Sequence, residues 1–371
     1  MALQADAAPA LSGEPAAGMG TSPSVRSAQG ARPRQAAEAS VSARQGFLFS
    51  PTIDLLFIAN LFWPLLLIVD VVGGATTHES LLFWQIYFIT APHRWITLIL
   101  VAFDREKTAH RGATFASLAI GILLVCLCLQ FGTGSLLCLG VIDYIWNAWH
   151  FSAQHHGIFR IYERKGGGGG GPAWPRLEKT AFRAYLLFVI ARVAGVGWTE
   201  GPFAGSQWIT PLDGAMAMIP LLLVARQGWR WFTGQGTSLA SWIYLSSVMG
   251  LFTAMLWASH QERNGLVIQL ALASAVFHSV EYLSIVTWSM RRSPKTKPSK
   301  SFAYLSQMWL LFLAIFVVVI GAGNYLLSRG YFDLWVLMNL VVAFWHYCFD
   351  GMLWKSPKRP AAPALSPPSA S

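Results

Sequence analysis

The chain of 371 residues is 54% hydrophobic and only 12% charged, with 27 Lys and Arg against 17 Asp and Glu for a formal net charge of +10. Soluble domains carry about 25% charged residues, so this composition, with a mean hydropathy of +0.46, excludes an ordinary soluble fold and makes the bilayer the solvent. The basic excess lies in short loops beside apolar segments, which assigns it to membrane topology and argues against a nucleic-acid partner.

In chain order, residues 1–45 are rich in Ala, Ser, Gly, Pro and Arg and contain no apolar stretch of the signal-peptide kind. They predict a disordered tail, in preference to an organelle transit peptide. Residues 46–356 read as a single transmembrane helical domain, and 357–371 as a second disordered tail. Ten apolar spans are predicted near 52–73, 81–103, 113–131, 137–159, 183–198, 211–226, 239–259, 265–290, 302–327 and 334–354. Alternate connections carry the positive charge: Arg105, Lys107 and Arg111; Arg160 to Lys179; Arg226 and Arg230; the run from Arg291 to Lys300; and Lys355 to Arg359. The intervening ones hold mainly Glu79, Glu200, Glu262 and Asp333. The positive-inside rule then predicts a polytopic all-α bundle of about ten transmembrane helices with both termini cytoplasmic, in the cytoplasmic (inner) membrane if the chain is bacterial. The run Gly166 to Gly171 predicts a flexible linker. The four cysteines, Cys126, Cys128, Cys138 and Cys348, form no CxxC pair and read as small apolar filler.

Four histidines, His93, His150, His278 and His346, sit near the midpoints of spans 2, 4, 8 and 10. In the predicted topology those four spans run in the same direction, so the imidazoles fall within about 3 Å of a common depth. Ionisable groups there are costly and usually mark chemistry or a transport path. Each histidine shares a helix face with other polar residues. These are Thr90, Thr97 and Asp104 in span 2; Asp143, Asn147 and Gln154 in span 4; Ser274 and Glu281 in span 8; and Asn339 and Asp350 in span 10. Imidazole suits iron, zinc and copper, and a ligating imidazole commonly donates its second N–H to a carboxylate. Glu281 and Asp350, one turn from His278 and His346, are candidates for that role or for direct ligation. Arg94, beside His93, demands a counter-ion from Asp143, Glu281 or Asp350. His155 and His156 extend the candidate metal set toward a two-metal site.

The strings Pro92-His93-Arg94, Trp149-His150-Phe151, Phe277-His278-Ser279-Val280-Glu281-Tyr282-Leu283 and Trp345-His346-Tyr347 resemble the histidine motifs of the Brp/Blh family of membrane-embedded β-carotene dioxygenases. Arg94 stands where a small glycine is expected. The resemblance implies that His93, His150, His278 and His346 ligate non-heme iron as Fe2+. The expected activity is therefore a non-heme iron oxygenase acting with O2 on a lipophilic substrate, a carotenoid, polyprenoid or fatty-acyl chain. The alternatives are a heme-binding redox membrane protein and a proton-coupled transporter using the same His, Asp, Glu and Arg groups; as the cofactor, non-heme iron is favoured over heme or copper. No CxxCH occurs, so covalently attached heme is excluded.

Overall fold

The structure, a computed structural model, describes residues 46–65, 68, 82–103, 108, 111–167, 174–292, 305 and 307–354. The predicted tails 1–45 and 357–371, the later part of the first span, Asp104 and the basic run at 293–300 lie outside these residues. Every regular element among them is helical.

The first predicted span does not continue as one helix. Ser50 caps α1 (Pro51–Ile53) by accepting the Ile53 N–H, and Pro51 supplies a helix-ready φ at the first turn. The chain passes directly into a π-helical stretch, Asp54–Ile58, and breaks at Asn60, whose φ of 47° is left-handed. Asparagine tolerates that conformation because its side chain bonds locally; here its amide donates to the Phe57 and Ile58 carbonyls at 3.4 and 3.2 Å. Buried Asp54 anchors the segment by accepting from the Leu48 and Phe49 backbone and from the Tyr162 hydroxyl.

Among the described residues nine longer helices follow. They are α2 (Leu82–Phe103), α3 (Gly112–Thr133), α4 (Leu137–Lys165), α5 (Trp174–Val193), α6 (Ile209–Phe232), α7 (Leu239–His260), α8 (Asn264–Arg292), α9 (Trp309–Gly330) and α10 (Phe332–Leu353). Seven of them, all but α4 and α5, are long and apolar enough to cross a membrane. α4 ends in Arg160, Glu163, Arg164 and Lys165, and α5 begins with Arg176, Glu178 and Lys179. The fifth predicted span is shifted accordingly: the helix begins at Trp174 and ends at Val193, before a glycine-containing turn.

Burial separates centre from rim. α7 and α8 each bury 61% of their most apolar window, whereas α3 and α9 bury 11%. The exposed faces of the rim helices carry Leu124, Val125, Leu311, Ile315, Val318 and Val319, the apolar outer surface that lipid requires. α8 joins two cores. Leu270, Phe277 and Ile285 pack with α4, α5 and α7, while Tyr282, Val286 and Met290 pack with α2, α9 and α10. His278 therefore lies where both cores meet.

Two polar clusters tie helix ends together. Arg192 of α5 forms a two-point pair with Asp213 of α6, at 3.0 and 3.1 Å, and His260 of α7 approaches the same carboxylate at 2.8 Å. At the far end of α4, buried Glu163 accepts from Thr237, Ser241, Gln227 and Arg230. Burial opposes ionisation of Glu163, but the hydrogen bonds from Thr237, Arg230 and Gln227, with the Arg230 charge, outweigh it and hold the pKa below the usual carboxylate value.

A buried four-histidine site

Proline shapes the first arm of the site. Pro92 has no N–H to donate, and the turn before it widens into a π-helical stretch, Gln85–Thr90. The π turn absorbs the missing bond and lets α2 continue through His93; such bulges recur at functional positions. His150, His278 and His346 project from unbroken parts of α4, α8 and α10. Of the four, none exceeds 6% exposure.

The rings meet edge to face. Centroids are 5.3 Å apart for His93 and His278, 5.0 Å for His93 and His346, 5.1 Å for His150 and His278, and 4.7 Å for His150 and His346. His150 Nε2 and His346 Nε2 are 3.1 Å apart. Two nitrogens on one ion with bonds of about 2.0–2.1 Å are separated by roughly 3.0–3.4 Å, so this pair already has the spacing of neighbouring ligands. One nitrogen each from His93, His278 and His346 lies within 4.8 Å of the others.

The outward-facing nitrogens are held. The His346 Nδ1 pairs with the Thr97 hydroxyl at 2.7 Å, and Thr97 pairs in turn with the Tyr282 hydroxyl at 2.9 Å. Tyr282 hydrogen-bonds Asp350. With Nδ1 protonated, one consistent donor order runs His346 to Thr97 to Tyr282 to Asp350 and ends on a carboxylate. His93 Nδ1 meets the Ser279 hydroxyl at 3.0 Å. His278 differs: both of its ring nitrogens are buried and have no hydrogen-bond partner among the described residues. One side of its ring stacks on Phe151 at 3.9 Å, which fixes the orientation without supplying a donor or acceptor.

The carboxylates sit elsewhere than one-turn spacing suggests. Asp350 does not bond His346 directly; Trp354 and Tyr282 hold it, and it acts on His346 through two hydroxyls. Glu281 leaves His278 unpaired and accepts instead from Gln154 at 2.8 Å, Tyr244 at 2.8 Å and the His155 Nδ1 at 2.9 Å. The reason is rotational: at 100° per residue, i+3 and i+4 positions straddle the histidine, so each carboxylate faces a different neighbour. His155, His278 and Glu281 form a second group with ligand atoms within 4.8 Å of one another, and His155 Nε2 is buried and unpartnered. His156 does not join either group. It packs edge-on against Phe182 at 5.4 Å, on the side of α4 facing α5. Arg94 has no carboxylate within ion-pair distance among the described residues; of the three counter-ions considered, Asp143 is the one whose charge acts on it, and the Tyr347 hydroxyl donates to Asp143 at 2.9 Å.

Tyr244 is the participant the sequence did not announce. It lies on α7, whose histidine, His260, is the last residue of the helix, and only its polar neighbours Ser241 and Ser247 on the same helix mark that face. Ser279 and Tyr282 stood in the α8 motif without an assigned role.

The fold and site define a helical protein with, among the described residues, seven membrane-length apolar helices and a buried, imidazole-lined centre. No protein-family model matches the sequence, and comparison with curated proteins and with solved structures returns no match.

Proposed function

We propose that the protein is a membrane-embedded metalloenzyme, a non-heme iron oxygenase of lipophilic substrates, with His93, His150, His278 and His346 as the metal ligands. The observation that carries this reading is His278. A buried polar atom without a partner costs about 1–3 kcal/mol, and His278 has two such nitrogens, with the His93 and His150 rings edge-on at 5.3 and 5.1 Å. A metal ion held by these imidazoles would satisfy one of those nitrogens and would account for the 3.1 Å approach of His150 and His346. Edge-to-face ring spacings of 4.7–5.3 Å suit a single ion and leave no slot for a porphyrin plane, which favours non-heme iron over heme.

Iron, when bound, supplies O2 binding and redox chemistry. The chain's own residues do the rest. Thr97 and Ser279 orient His346 and His93 so that Nε2 of each faces the centre. Phe151 and Phe277 exclude water. The Glu281 carboxyl group is held beside the site by Gln154, Tyr244 and His155. In this reading the ten predicted spans cross the bilayer with both termini cytoplasmic, and substrate enters laterally from the lipid.

Elemental analysis of the purified protein and of four variants, His93→Ala, His150→Ala, His278→Ala and His346→Ala, tests the assignment. Near-stoichiometric iron in the wild type, largely lost from each variant while His156→Ala retains it, is the expected result. Activity in protein free of transition metal defeats the proposal.

A further inference from the structure

Four buried polar atoms without a hydrogen-bond partner among the described residues belong to three neighbouring side chains. They are both ring nitrogens of His278, the Nε2 of His155 and the Oε1 of Gln154. Glu281 joins this group. Its Oε1 lies 2.9 Å from His155 Nδ1 and accepts from the Gln154 amide at 2.8 Å, and the same amide donates to the His278 carbonyl at 2.9 Å. None of the four side chains exceeds 8% exposure. Native cores leave few polar atoms orphaned, so a cluster of them marks a place where something binds.

Three helices build the cluster. His278 and Glu281 are three positions apart on α8 and are neighbours on its surface. α4 brings His155 and Gln154 from across the interface. α7 adds Tyr244, whose hydroxyl donates to Glu281 Oε2 at 2.8 Å and lies 3.1 Å from His155 Nδ1. Phe277 and Phe252 pack edge-on to the His155 ring, with centroids at 5.3 and 5.9 Å, and offer its Nε2 no partner.

One ligand atom each from His155, His278 and Glu281 lies within 4.8 Å of the others. Bonds of about 2.0–2.2 Å put two donors on one ion roughly 2.8–3.6 Å apart, so His155 Nδ1 and Glu281 Oε1, at 2.9 Å, already have that spacing. Closing His278 onto the same ion takes at most roughly 1–2 Å of side-chain movement. Two imidazoles and a carboxylate are a donor set that zinc and non-heme Fe2+ both accept. A cavity of about 480 Å3 has Gln154 and His150 in its wall and supplies an entry path.

We propose that His155, Glu281 and one nitrogen of His278 form a second divalent-metal site beside the four-histidine centre. His278 is then shared, one nitrogen to each ion; its ring releases the remaining N–H proton to the buffer and bridges as imidazolate. The proposal goes beyond a single iron, and rests on that reading for the ion on the other His278 nitrogen. Tyr244 and Gln154 hold the carboxylate in place. With three side-chain ligands against four, the second ion is held more weakly, so purified protein keeps its iron and takes the second ion on addition.

The test equilibrates iron-loaded, full-length protein in detergent with Zn2+, a probe without redox chemistry, and reads both metals after equilibrium dialysis. One zinc per chain with iron retained is expected. His155→Ala and Glu281→Gln should each weaken zinc at least about tenfold. Tyr244→Phe, which removes a hydrogen bond to the carboxylate but no ligand, should weaken it less. Either variant that keeps its iron is folded and decides. Zinc that displaces iron one for one overturns the proposal, because a single site is then shared. So does zinc unaffected by Glu281→Gln, and so does loss of iron together with zinc from both variants. Iron-loaded protein that takes up no zinc overturns it too, since the orphan atoms then meet only water. Wild-type protein that holds no iron, yet loses a zinc with Glu281→Gln and none with His93→Ala, defeats the four-histidine reading and leaves the second site standing.

Discussion

Replacing Thr97 by valine tests the hydroxyl relay behind His346. Thr97 is fully buried, and its hydroxyl joins His346 Nδ1 at 2.7 Å to the Tyr282 hydroxyl at 2.9 Å. Valine keeps the branched shape and removes the oxygen, so packing changes little while Nδ1 loses its partner. An unsatisfied buried group costs about 1–3 kcal/mol. Removing a partner from a metal-bound imidazole costs roughly 10–100-fold in metal affinity, which is about 1.4–2.8 kcal/mol at 1.4 kcal/mol per tenfold. The two routes agree. Chelator competition with Fe2+ under anaerobic conditions should therefore show Thr97→Val one to two orders of magnitude weaker than wild type. Thr97→Ser, which restores the hydroxyl, should bind within about threefold of wild type. Equal iron affinity in the valine variant refutes the relay, and so does a serine variant no better than valine.

Other outcomes follow from the same contacts. Asp350→Asn keeps an acceptor for Tyr282 two hydroxyls away from His346, so iron affinity should fall by less than in Thr97→Val, read by the same competition. Glu281→Gln changes a carboxylate that touches Gln154, Tyr244 and His155 but none of the four proposed ligand imidazoles; iron affinity should fall by less than in Thr97→Val, and a loss of about tenfold or more would refute that ligand set. Asp213→Asn leaves the buried Arg192 guanidinium without its charge partner, a loss of about 3–5 kcal/mol for a broken buried pair, seen as a lowered Tm in detergent with iron content retained. For pH, the folded-state pKa of Glu163 lies below its unfolded value, so its contribution is present above the ordinary carboxylate range near 4.3 and is lost as pH falls through the depressed value. Thermal melts between pH 6 and pH 3 should show wild type losing more stability than Glu163→Gln; parallel curves exclude that contribution.

Much of the architecture is legible in the chain because lipid imposes simple rules. Backbone groups in a bilayer must pair within the segment, so long apolar runs become helices; among the described residues seven helices are long and apolar enough to cross a membrane, those over the predicted fourth and fifth spans are not among them, and the first is interrupted at Asn60. The placement of His93, His150, His278 and His346 on polar helical faces is equally local, since 100° per residue fixes which side chains share a face. The tertiary structure decided what periodicity does not encode. Asn60 ends the first helix through its own left-handed backbone, and a π turn before Pro92 sets the rotation of His93. Spacing along one helix placed Glu281 and Asp350 near their histidines in height but left their azimuth toward other helices open. Helix packing turned Glu281 to His155 and Tyr244, and put Thr97 and Tyr282 between Asp350 and His346. Which nitrogens are satisfied, and that both on His278 are not, depends on contacts between residues up to 249 positions apart, and those exist only once the helices have packed.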